Sequence, residues 1–263
     1  MASLHNTREA ATSGTQEPTS EPCCSKNGRA ETSILEKVSS RRALLRAAMG
    51  GTLTGLVAVA GMQVTTPRPA LAQSKLTPDE ALQELMDGNR RFTAGRLTAH
   101  EQDLAILRRN TIDKQEPFAA LLSCADSRVP VEMAFDQSIG HLFVTRIAGN
   151  VVTPEIIASL EYGVAVLGTK LILVMGHRNC GAVKATIQAK EVPGQISALF
   201  PHIQPAVDQA GSDVEAATKA NAKIQAALLR KASTVISSFA NQGKVKVVAG
   251  YFDIASGAAT LLD

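Results

Sequence analysis

Two cysteines and a histidine would do chemistry together if the fold brought them into contact. Cys124 opens the pentapeptide Cys124-Ala125-Asp126-Ser127-Arg128, and the others lie in His177-Arg178-Asn179-Cys180. Two thiolates and an imidazole are soft or borderline ligands, the set that a catalytic zinc takes when its fourth tetrahedral position is left to water or substrate. Each half is a weak signal alone, since a lone buried cysteine at a strand end is usually a small hydrophobe. Together they gain weight from their surroundings. Both follow strongly apolar runs, Phe118 to Leu122 and Leu171 to Met175, and a parallel sheet places sites at the carboxyl ends of its strands. Asp126 and Arg128 are more than a purely structural zinc needs. As an isolated surface pair they would contribute under about 1 kcal/mol. Beside Cys124 they read as a carboxylate that the guanidinium grips bidentately, keeping it ionised and oriented.

The elements that must position these residues alternate between strand and helix. Thr77-Pro78-Asp79-Glu80 reads as an N-cap, a first-position proline and two acids, opening a helix that runs to Phe92 with Leu82, Leu85 and Met86 on one face. A second helical stretch follows over 103–110. Strands are expected over 118–123, 141–147, 170–176 and 244–251. A helix from Thr153 to Leu167 turns Ile156, Ile157, Leu160 and Val164 toward the sheet. Another begins near Gly181, and an alanine-rich helical stretch covers 214–241. Such alternation predicts an α/β fold around a mostly parallel β-sheet flanked by helices.

Charge separates this domain from what precedes it. Residues 1–72 hold 8 Lys and Arg against 5 Asp and Glu, whereas residues 73–263 hold 19 of each. The balanced 73–263 domain gives no reason to expect a nucleic acid or an acidic membrane surface as partner. The lead is polar and poor in aromatics as far as Ser39, a composition that predicts disorder. Then come Arg41 and Arg42, a glycine-diluted apolar run from Ala47 to Val64, and Ala70-Leu71-Ala72. A charged start, a modest apolar middle and an Ala-x-Ala end predict a signal peptide, removed before Gln73, that takes the mature domain to the periplasm or an equivalent compartment. The paired arginines resemble the twin-arginine type, which implies the twin-arginine export machinery as a partner. A membrane anchor is the competing reading if cleavage does not occur, and a misassigned start codon would account for the long lead. Cys23 and Cys24 fall in the discarded segment. Cys124 and Cys180 remain, able to pair as a disulfide in an oxidising compartment, though His177 beside Cys180 favours metal.

Cys-x-Asp-x-Arg followed about fifty residues later by Gly-His-x-x-Cys-Gly resembles the β-class carbonic anhydrases. So do Arg128-Val129-Pro130, Phe143-Val144-Thr145-Arg146, Ala148-Gly149-Asn150, Ser159-Leu160-Glu161-Tyr162 and Gly181-Ala182, and the likeness runs from about Leu76 to the C-terminus. The resemblance implies one Zn2+ per chain on Cys124, His177 and Cys180, reversible hydration of carbon dioxide to bicarbonate and a proton, and a homodimer or higher homo-oligomer whose amino-terminal helices reach over a neighbouring subunit. It implies Asp126 and Arg128 as the catalytic dyad, with Asp126 able to become a fourth zinc ligand in a closed state. Phe143, Ala148, Gly149 and Tyr162 would line the carbon dioxide slot, the aromatics from the neighbouring subunit, and Gln115 matches a substrate-orienting glutamine of plant-type members. Plain core packing is the competing role for Phe143 and Tyr162. His100, His141 and His202 lack ligand partners at useful spacing, so surface or core roles are expected. The chain departs from the family pattern at Ile147, commonly Asn, and at Arg178-Asn179. Leu121 stands where some bacterial members use tryptophan to build an inhibitory bicarbonate pocket. The competing functions are a carbonyl sulfide or carbon disulfide hydrolase on the same scaffold, and a non-catalytic zinc or thiol protein. The dyad argues against the second.

Overall fold

The computed structural model describes residues 74–99, 104–106 and 111–262. The lead, on which the expected signal peptide falls, and His100 lie outside the described residues, as does most of the helical stretch expected over 103–110, of which 104–106 is helical.

Helix α1 (Pro78–Thr93) starts as its sequence requires. Thr77 Oγ1 accepts from the Glu80 amide, and the Glu80 carboxylate accepts from the Thr77 amide at 2.7 Å, a complete capping box with Pro78 behind it. Two buried strands form the centre of the sheet, β1 (Ala119–Ser123) and β3 (Leu171–His177). They are flanked by β2 (Leu142–Arg146), β4 (Lys246–Asp253) and β5 (Ala258–Leu262) in the order β2-β1-β3-β4-β5. The first four run parallel and β5 is antiparallel to β4. Every residue of β1 and β3 is buried, which is why both read as unbroken apolar runs rather than alternating ones.

Helices cover both faces of the sheet. Ala120, Leu122, Ile172 and Val174 pack on one side with Leu160 and Val164 of α3 (Pro154–Ala165) and with Ala222, Ala226 and Leu229 of a later helix, α6. Ala119, Leu121, Leu171, Leu173 and Met175 face the other way, against Ala81 and Leu85 of α1, Phe252, and Ala134 and Phe135 at the end of the short α2 (Val131–Ala134). Helix α4 (Gly181–Gln188) follows β3, and α5 (Phe200–Ala210) precedes α6 (Val214–Ala232).

Three features differ from the sequence expectation. The stretch over 214–241 is two helices, because Ser233 leaves helical geometry at φ −102° and ψ 115°. Its hydroxyl accepts from the Ile236 amide, capping α7 (Thr234–Asn241), and donates to Glu161 at 2.6 Å. A serine offers the backbone this alternative to helix continuation. The fifth strand was not expected: Ala258-Ala259-Thr260-Leu261-Leu262 has neither alternation nor a continuous buried run, and its pairing with β4 makes it a strand. Helix α5 was not singled out either, since prolines at 201 and 205 obscure its period.

Asp136, in the turn that follows α2, fastens that turn to α1 and the residues after it. Its buried carboxylate accepts from the Arg91 guanidinium, from the amides of Thr98 at 2.8 Å and Ala99 at 3.0 Å, and from the Thr98 hydroxyl at 2.9 Å. Burial alone would raise its pKa, but Arg91 and the Ala99 and Thr98 donors outweigh burial and hold it at about 2. A carboxyl depressed in the folded state stabilises above its unfolded pKa of about 3.9, and that contribution is lost as pH falls toward the folded value. Asp136→Asn is therefore expected to lower the unfolding free energy by about 2 kcal/mol at neutral pH and to flatten its decline between about pH 4 and pH 2. Urea titrations across pH test this; a variant with an unchanged acid limb would show that Asp136 does not carry it.

Candidate metal centre

The sheet register brings the ligand candidates together. Ser123 of β1 stands beside Met175 of β3, so Cys124, one residue beyond β1, emerges next to His177, the last residue of β3. Asn179 then takes a left-handed conformation at φ 58°, one that asparagine tolerates better than most residues, and so turns the chain into α4 with Cys180 at its N-cap. The two sulfurs and the imidazole nitrogen all lie within 4.8 Å of one another. All three side chains are buried, and both cysteines are free thiols, so the disulfide alternative does not hold.

The chemistry of this trio fits a soft divalent metal. His177 Nδ1 is 3.0 Å from the Arg178 carbonyl, a contact that assigns the proton to Nδ1 and leaves a bare lone pair on Nε2. Nε2 is buried without a hydrogen-bond partner, and the Asp126 carboxylate 3.8 Å off is ionised and has no proton to give it. A buried acceptor with nothing to accept has a natural use as a ligand. The thiols are unequal. Cys124 is pulled toward thiolate, first by the Cys180 thiol that donates to it, and against its burial by the Gly149 and Asp126 amides. Cys180 is pushed the other way by Cys124 and by burial, opposed by the first-turn amides of Val183 and Ala182 in α4. A cation among them would favour thiolate at both.

Asp126 and Arg128 form the expected pair. Arg128 donates from Nε to Oδ1 at 2.9 Å and from Nη2 to Oδ2 at 2.7 Å, and its backbone amide adds a third bond to Oδ1 at 2.9 Å. The Arg128 side chain is the main reason that the Asp126 carboxyl sits far below the usual carboxylate range; burial opposes it, and the Arg128 amide and His177 assist. Arg128 Nη2 also reaches the Asn179 carbonyl at 3.4 Å, tying the first half-motif to the second.

Of the other expected site residues, Ala148 and Gly149 lie in the short helical turn Ala148–Asn150 that approaches Cys124. Gly149 donates its amide to Cys124 Sγ at 3.3 Å, at φ 75°, and a Cβ there would stand 2.7 Å from Ile203 Cδ1, so only glycine fits. Phe143 and Tyr162 pair with each other at 6.2 Å between ring centroids, Tyr162 half exposed on α3. Gln115 is exposed before the start of β1, beyond the opposite end of that strand from Cys124. Arg178 and Asn179, where the family pattern is broken, take an ion pair with Asp253 at 3.1 Å and the turn conformation respectively. His141 is exposed with Nδ1 3.1 Å from Gln137, and His202 is partly buried, its carbonyl accepting from Gln225 at 2.9 Å.

Sequence reasoning missed three contributors. Arg146 donates to the carbonyls of Cys124 at 2.9 Å and Asp126 at 2.5 Å, and so braces the strand end that carries both. Asn221 and Gln225 of α6 reach the Gly149 loop from far along the chain.

With this geometry in place, comparison with known proteins is informative. Residues 119–259 match the carbonic anhydrase family. The chain is 36% identical over 192 residues to a carbonic anhydrase of Mycolicibacterium smegmatis, covering 70% of this chain and 93% of that protein. It is 34% identical to carbonic anhydrase 2 of Mycobacterium tuberculosis, covering 71% and 93%. Among solved structures, the β-carbonic anhydrase CcaA superposes with a TM-score of 0.55 at 25% identity over 70% of this chain and 88% of that one. CafA of Aspergillus fumigatus has the same fold, with a TM-score of 0.58 at 22% identity over 69% and 90%.

Proposed function

Since the chain belongs to the carbonic anhydrase family and has the fold of its β class, we propose that it hydrates carbon dioxide reversibly to bicarbonate and a proton, with zinc held by Cys124, His177 and Cys180. One observation carries the reading: an unpartnered, buried imidazole nitrogen converges with two thiol sulfurs beside a carboxylate that a guanidinium keeps ionised. Zinc bound there would lower the pKa of water to about 7 and so supply a nucleophile near neutral pH.

The chain's own groups do the rest. Arg128 takes up both Asp126 oxygens on one side, leaving Oδ2 with a lone pair on the side that faces His177. That lone pair accepts the O–H of the attacking group, which turns the nucleophilic lone pair away from Asp126 and toward carbon dioxide. Arg146 holds the backbone of Cys124 and Asp126 together, so ligand and orienting group keep their relative positions. Carbon dioxide is apolar and needs a dry slot, for which Ala148 and Gly149 supply a wall beside the Cys124 sulfur.

Phe143, Tyr162 and Gln115 complete a slot only across a subunit boundary, so the reading includes a homodimer or larger homo-oligomer. Tyr162 and Val166 support it, as large apolar side chains nearly half exposed at the outer side and end of α3. Stopped-flow hydration of carbon dioxide by the purified full chain tests the activity. The rate should collapse on chelation and return with zinc; a fully zinc-loaded protein that does not hydrate carbon dioxide would overturn the proposal.

The reading extends to export: Arg41, Arg42 and the Ala70-Leu71-Ala72 end support a twin-arginine signal whose removal leaves Gln73 as the first residue. Protein recovered from the periplasm is expected to begin at Gln73, and Arg41→Lys with Arg42→Lys is expected to leave it unprocessed in the cytoplasm. Amino-terminal sequencing decides; an intact Met1 or Ala2 on periplasmic material refutes both cleavage and site.

A further inference from the structure

Helix α6 lies more than thirty residues beyond Cys180 in the chain, yet one of its faces is built around the metal centre. Thr218, Asn221, Ala222 and Gln225 form a stripe at helical spacing, and Thr218, Asn221 and Gln225 are fully buried. At one end of the stripe, Thr218 and Ala222 crowd Gly176, the residue before His177, where a Cβ would come within 2.8 Å of Thr218 Cγ2. At the other, Asn221 Nδ2 donates to the Gly149 carbonyl at 2.8 Å. Gln225 orients that amide, donating to Asn221 Oδ1 at 3.1 Å and to the His202 carbonyl at 2.9 Å while accepting from the Val152 amide at 2.8 Å.

Two buried amides are costly unless paired, and an apolar pair would fill the same space without that requirement. What the pairing achieves is control of one peptide. The 149–150 unit is pinned at both ends, its oxygen by Asn221 and its N–H by the Ile147 carbonyl at 2.9 Å. With that unit fixed, Gly149 at φ 75° and ψ 11° turns its own N–H onto Cys124 Sγ at 3.3 Å.

We infer that Asn221, oriented by Gln225, is a positioning residue of the metal site that acts through Gly149 to keep an N–H donor on the Cys124 sulfur. The inference rests on the reading of Cys124 as a zinc ligand. An N–H aimed at a thiolate draws electron density from it, so a metal bound to two thiolates keeps more of its own positive charge. Without the donor, Cys124 would give more charge to a metal held there, which would then acidify water less.

Cobalt(II) loaded into the full chain in place of zinc reports this through its sulfur-to-metal charge-transfer band. In Asn221→Leu the band is expected to move to lower energy, because an unshielded thiolate is easier to oxidise. The zinc-loaded variant should lose about tenfold or more in kcat/KM, as is typical for groups that orient a ligand. Asn221→Ser, which is too short to reach Gly149, should behave alike if the leucine variant does not fold. Leu229→Ala on the same helix is the control: it should lower the unfolding midpoint without moving the band. A band unmoved in folded Asn221 variants would overturn the inference and leave Asn221 as packing. Absence of a sulfur-to-cobalt band in the parent protein would instead overturn the assignment of Cys124 as a ligand, and this inference with it.

Discussion

Cys180→Ser is expected to strip the protein of most of its zinc and to reduce carbon dioxide hydration by more than about 100-fold, beyond the 10- to 100-fold that loss of an outer partner to a metal ligand typically costs. A serine hydroxyl is a harder and far less acidic donor than a thiol, and it would sit at a position with no exposure to the water that could replace it. His177 and Cys124 would remain as a two-coordinate remnant. The loss extends to stability, because a metal that binds only the folded state adds RT ln(1 + [L]/Kd) to it. The variant should therefore unfold at a temperature that no longer depends on added zinc. Metal analysis after gel filtration, together with thermal scans with and without zinc, measures both effects. Full occupancy and full activity in Cys180→Ser would remove Cys180 from the ligand set.

Asp126→Asn should separate an enzyme from a zinc-holding shell, keeping the metal while losing turnover by 10- to 100-fold or more. An asparagine of the same shape can turn its NH2 group toward the attacking oxygen, donating where Asp126 accepts, and so favour an orientation that points away from carbon dioxide. Arg128→Ala should cost a comparable amount, since it removes two of the three bonds that hold the carboxylate and the main cause of its low pKa. The double variant should be no worse than the poorer single, because both changes break one unit. Hydration rates of all three proteins at equal zinc content give the answer. Near-parental turnover in Asp126→Asn would reduce the dyad to a surface ion pair.

The parts of the site that could be read from the sequence share a property: each is local, or anchored to something local. Cys124 and His177 follow apolar runs whose burial defines β1 and β3, and an N-cap, a first-position proline and two acids placed the start of α1 from four consecutive residues. Asp126 and Arg128 are two positions apart, so their pairing needed no knowledge of the fold. Asn221 was not readable in this way. It sits in an alanine-rich helix, 72 residues from the carbonyl it holds, and nothing in Ala220-Asn221-Ala222 distinguishes a buried amide from a solvated one. Gln115, Phe143 and Tyr162 were picked out by likeness to other chains. Within one chain the fold brings Phe143 and Tyr162 together and leaves Gln115 beyond the far end of β1 from Cys124. The break at Ser233 and the strand β5 depend on partners, Glu161 and β4, that lie outside their own stretches of sequence.

The pairing of Ser123 with Met175, which sets Cys124 beside His177, also has a meaning in time. On the ribosome, Cys124 emerges while the strand that must receive it has yet to be made, and Gln225, the last residue that orders the Gly149 loop, follows about a hundred residues later. At 5–20 residues per second the interval is roughly 5 to 20 s. During it first one and then both of the thiols expected to hold the metal, Cys124 and Cys180, stand uncommitted, open to oxidants or to whichever ion arrives. Only when nearly the whole chain has been synthesised can parallel strands far apart in sequence close on each other and α6 lock behind them. Metal selection is thus left to the finished fold, and the period of greatest chemical vulnerability belongs to translation.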